Sequence, residues 1–145
     1  MKYKFENLIA SIIEFTLREL HLVSIVIGIF VYFIFASLSN PSKIDYTNVP
    51  GVCASFAGFL LTSYTIVNNL NNNKFTKLLR ENPTFKAVLK LIIYSAILQL
   101  ITTIVSILNL NDNLVSVLFI VSMVETAVAF YCVFKIYYYS KQSSE

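Results

Sequence analysis

Apolar residues in this chain gather into four long runs, and each is long enough to cross a bilayer. The most telling is Leu114 to Ile136, LVSVLFIVSMVETAVAFYCVFKI, which holds a single carboxylate, Glu125, at its centre. A hydrocarbon core about 30 Å thick needs roughly 20 apolar residues in a helix rising about 1.5 Å per residue. The other runs are 21–38, 52–68 and 87–108. A different pattern precedes them. Phe5, Leu8, Ile9, Ile12, Ile13 and Leu20 recur at three- and four-residue spacings, with Lys2, Lys4, Glu6, Glu14, Arg18 and Glu19 filling much of the rest. Residues 1–20 therefore predict an amphipathic helix, either lying in the membrane interface or packed on a loop of its own chain. The expected fold is all-α: a four-helix transmembrane bundle with an N-terminal amphipathic helix.

Turn chemistry separates the runs. Asn40-Pro41 and Pro50-Gly51 bound the first loop, and Pro50 suits the first turn of the second span. Asn82-Pro83 reads as a cap followed by an N1 proline, so the third helix should start there. Asp112 or Asn113 is the expected cap of the last span. The first run exceeds the usual apolar core of a signal peptide, about 7–15 residues, and acidic Glu14 and Glu19 precede it, so it reads as a retained span.

Composition then fixes the solvent. Of 145 residues, 57% are hydrophobic, and the mean hydropathy is +0.70. A water-soluble fold this small cannot hide so much apolar surface, so the excess must face lipid. The net charge of +3 is too small to indicate nucleic acid, and no direct nucleic-acid contact is expected. Where the charges fall matters more. Of the 11 Lys and Arg residues, Lys43 alone lies in the first loop; Lys2, Lys4, Arg18, Lys74, Lys77, Arg80, Lys86, Lys90, Lys135 and Lys141 adjoin the other side. The positive-inside rule puts both termini and the second loop in the cytoplasm. Tyr137, Tyr138 and Tyr139 followed by Lys141 read as an interfacial anchor. The basic loop 69–86, with Lys74, Lys77, Arg80 and Lys86, serves as an orientation signal, an anionic-lipid contact or a dock for a soluble cytoplasmic partner.

Polar and small residues inside the spans form stripes. Ser24 and Gly28 make a small-xxx-small pair on the first span; Ala54, Gly58 and Thr62 make a second such face, with Ser55, Ser63 and Thr65 adding hydroxyls. On the third span Ser95, Gln99, Thr102 and Ser106 draw one line. On the fourth, Ser122, Glu125, Ala129 and Cys132 share a narrow face. Counted along the spans, Thr62, Gln99 and Glu125 come near one level, and Gln99 is expected to donate to Glu125. Two readings of Glu125 stand side by side: a protonated residue that only holds helices together, or a group lining an ion or proton path. No buried cation accompanies it, which favours the neutral carboxyl. Cys53 and Cys132 sit at opposite ends of their spans and cannot pair within one chain. His21 is expected at the membrane edge with a local partner. One histidine, no paired intramembrane carboxylates and no metal-ligand spacing argue against an enzyme, a metal site or a cofactor.

The order of spans, with Ser55-Phe56-Ala57-Gly58 opening the second, a basic inner loop and a closing helical hairpin, resembles small four-span membrane proteins of phage exclusion and abortive infection. The membrane components of the lambda Rex and Kiwa systems are examples; the amphipathic opening helix is a departure from them. The resemblance implies a bacterial inner-membrane protein that senses infection or depolarises the membrane. The expected partners are membrane lipid and further copies of the chain, with a non-conducting accessory or immunity subunit as the alternative.

Overall fold

The computed structural model of the chain describes residues 19–38, 46–69, 81, 83–108 and 110–142. Among these, all regular structure is helical: α1 (Leu20–Leu38), α2 (Val49–Asn68), α3 (Pro83–Ile107) and α4 (Asp112–Gln142). Each contains a stretch long and apolar enough to cross a membrane, with mean hydropathies of 2.3, 1.4, 2.1 and 2.2 in chain order. The amphipathic segment before Glu19 and the loop residues Lys74, Lys77 and Arg80 lie outside the described residues.

The helices begin earlier than the apolar runs. α2 starts at Val49 with Pro50 in its first turn. Proline costs nothing there, because the first N–H groups of a helix have no intrahelical acceptor. α3 starts at Pro83 for the same reason. The cap of α4 is Asn111, not Asp112 or Asn113: its Oδ1 accepts from the amides of Asn113 at 2.9 Å and Leu114 at 3.3 Å. Asp112 is already inside the first turn, where its negative charge complements the positive end of the helix.

α3 and α4 form the centre of a rhombic bundle. α2 packs most extensively on α3, α1 on α4, and α3 on α4, while α1 with α3 and α2 with α4 make smaller contacts. α1 buries only Ser24 and Gly28. Its approach to α4 is backbone-close: a Cβ added at Gly28 would stand 2.9 Å from the Val121 Cα. α2 buries Val49, Cys53, Ala57, Leu60, Ser63 and Val67. One apolar cluster joins Leu60, Val88, Leu91, Ile92, Ala96 and Ala129; another joins Val49, Cys53 and Val115. Along α4, the polar residues Ser116, Ser122, Glu125 and Thr126 fall between Val115 of the second cluster and Ala129 of the first.

The outer surface is apolar. Val26, Phe30, Phe33, Ile107 and Phe134 are each about two-thirds exposed. Patches on that scale are untenable in water and ordinary in lipid. By length and composition this is a multi-pass membrane protein.

Candidate functional site: a sealed polar layer

α3 and α4 meet through their polar stripes. Ser95, Gln99 and Thr102 on α3, and Ser122, Glu125 and Thr126 on α4, are each at most 2% exposed. Such groups turn inward because an acyl chain can neither donate nor accept a hydrogen bond. The bond that joins the helices is made by Gln99. Its Nε2 donates to Thr126 Oγ1 at 2.8 Å and to the Ser122 carbonyl at 3.3 Å. Glu125 lies between those two residues in sequence, so the Gln99 amide spans the turn of α4 that carries the carboxyl. The expected Gln99-to-Glu125 bond is therefore replaced: both Gln99 amide hydrogens have acceptors elsewhere. Both Glu125 oxygens, Gln99 Oε1 and Ser95 Oγ are buried without a hydrogen-bond partner.

Most other hydroxyls bond to their own helix. Thr102 donates to the Leu98 carbonyl at 2.8 Å, Thr103 to Gln99 at 2.9 Å, Ser122 to Phe119 at 2.9 Å and Ser24 to His21 at 2.8 Å. This back-bonding is the usual fate of a helical hydroxyl among apolar neighbours. Ser106 and Ser116 are also buried. Thr126 and Ser116 were missed by the sequence reading, although Ser122 and Thr126 repeat at a four-residue spacing that places both on one face.

Thr62 is not in the layer. It is exposed and donates to the Gly58 carbonyl at 2.9 Å. Ala54 and Gly58 also face outward, and nothing lies within 4 Å of where a Gly58 Cβ would be. The inward face of α2 is rotated from the expected one by a single residue, about 100°, onto Cys53, Ala57 and Leu60. A small residue facing lipid loses nothing, whereas Leu60 fills the volume that the core requires. Ser24, Gly28 and Ala129 are buried; Cys132 is half-buried, and both cysteines are free. Lys86 is exposed.

Glu125 is the one carboxyl buried among the described residues, and no buried Lys, Arg or His accompanies it. His21 stacks on Tyr94 with ring centroids 4.7 Å apart. Lys135 lies over the Tyr131 ring at 5.6 Å. No three His, Cys, Asp or Glu residues gather into a metal-binding group among the described residues. An apolar groove of about 470 Å³ between α2 and α4 is lined by Phe59, Ile66, Phe130, Val133 and Tyr137 among others. Its chemistry suits acyl chains. No family model, curated protein or solved structure matches the chain.

Proposed function

We propose that the chain is an oligomeric bacterial plasma-membrane protein, both termini cytoplasmic, that acts on the ionic integrity of the bilayer, and that Glu125 is its working group. One observation carries this reading: the helices are already joined without the acid. Gln99 to Thr126 supplies the polar link between α3 and α4, while neither Glu125 oxygen makes a bond. A carboxyl held inside a membrane costs about 2.5–3.5 kcal/mol on insertion scales if charged. A group kept there at such cost, and not needed for the hydrogen bond that joins the helices, fits a role in moving or sensing ions. Its seal makes the resting state closed, so conduction requires α1 or α2 to part from the central hairpin. The order of spans suggests anti-phage defence as the setting. The outward face of Gly51, Ala54, Gly58 and Thr62 suits close approach of a second copy.

The test is inducible expression with a membrane-potential dye, with and without phage challenge. Wild type depolarises the cell under the activating condition, and Glu125→Gln loses most of that response at equal expression. Intact potential for wild type under every condition overturns the reading. The seal around Glu125 also supports a second reading, a non-conducting subunit that docks a soluble partner through residues 69–86. There, joint replacement of Lys74, Lys77 and Arg80 abolishes protection against phage, and Glu125→Gln leaves it intact.

A further inference from the structure

We propose that Glu125, Gln99 and Ser95 form a buried binding site for a small monovalent cation, sodium in size and charge. The proposal does not depend on whether the protein conducts. It rests on four oxygen atoms on the two helices that Gln99 joins: Glu125 Oε1 and Oε2, Gln99 Oε1 and Ser95 Oγ, all buried and all without a partner. The three residues are at most 1% exposed. An orphaned buried polar atom costs about 1–3 kcal/mol, so four together call for a ligand.

Their placement is not accidental to the fold. The Gln99 Nε2 is committed to Thr126 and Ser122, on either side of Glu125. That fixes the amide plane and leaves Oε1 as its free end. Ser95 is one helical turn from Gln99 on the same buried stripe. Its hydroxyl finds no acceptor, not even the Leu91 carbonyl one turn back that a membrane serine ordinarily uses.

The donor set selects the ligand. All four atoms are hard oxygens, which excludes metals that prefer nitrogen or sulfur. A single carboxylate balances one positive charge, whereas calcium sites gather 6–8 oxygens and commonly several carboxylates. A proton on Glu125 serves that oxygen and one acceptor, and the Ser95 hydroxyl carries a hydrogen of its own, so it is the ionised carboxylate that calls for a cation. A water molecule would bridge oxygens but leave an ionised carboxylate unbalanced. A monovalent cation answers the charge of an ionised Glu125, and unpartnered oxygens on both helices are there to hold it. The near-complete burial of all three residues favours a small ion.

The experiment is thermal unfolding of the purified full chain in detergent, followed by far-ultraviolet circular dichroism, as sodium chloride replaces choline chloride at constant ionic strength. Potassium chloride provides the second series. The expected result is a rise in Tm of about 5 °C at saturating sodium, with little change in potassium. Glu125→Gln abolishes the rise, and Ser95→Ala, which removes one oxygen and keeps a good helix former, cuts it by half or more. Equal curves in sodium, potassium and choline for wild type overturn the proposal and leave a proton or a water as the occupant. A sodium-specific rise retained in full by Ser95→Ala, or by Glu125→Gln where that variant folds, places the ion elsewhere and overturns it too.

Discussion

At the scale of single residues, two glycines show how position decides consequence. Gly28 faces the backbone of α4, and a methyl group there would meet the Val121 Cα at 2.9 Å. Gly58 faces outward with nothing within 4 Å. Gly28→Ala should therefore destabilise by about 1–3 kcal/mol, the range for overpacking a close contact. Gly58→Ala should be neutral or stabilising by up to about 1 kcal/mol, because glycine is the poorer helix former. Reversible unfolding in mixed micelles measures both, and an equal loss for the two would contradict the packing at Gly28. Spacing alone gives both glycines the same appearance, since each sits four residues from another small side chain. What separates them is volume on the opposing helix, which spacing does not encode. The inward turn of Gln99 was legible for the opposite reason: an amide inside an apolar run has one tolerable direction. Its acceptor was not legible, because the choice between Glu125 and Thr126 depends on the axial register of two helices.

Among the elements, α4 depends most on its start. Asn111 accepts from two amides that otherwise have no partner in the helix. Asn111→Ala should cost about 1 kcal/mol, and it should raise hydrogen exchange at the amides of Asn113 and Leu114 before any change in the middle of α4. Uniform exchange along the helix would argue that the cap is dispensable. The existence of the helices was legible, because four apolar runs with proline at helix starts admit few alternatives. The cap was misplaced by one residue, an error expected wherever Asn, Asp and Asn stand in a row and each can serve. The rotation of α2 was hidden by its composition: Cys53, Ala57 and Ser63 inside and Ala54, Gly58 and Thr62 outside are alike in size.

For the whole molecule, the lopsided distribution of Lys and Arg predicts a single orientation. Alkaline phosphatase fused within residues 39–45 should be active, and a green fluorescent protein fused after Glu145 should fluoresce. The reverse pattern, or a mixture, would reject the orientation proposed above. Architecture adds a second constraint. α1 and α2 share no extensive contact with each other and lean on opposite flanks of the α3–α4 hairpin. During synthesis the first two helices consequently enter the bilayer as separate rods with nothing to grip. α2 gains its main partner when α3 enters, whereas α1 waits for α4 to leave the ribosome and until then is open to membrane proteases. Slowing the arrival of α4 should therefore lower the abundance of the mature protein, by leaving α1 without its partner for longer.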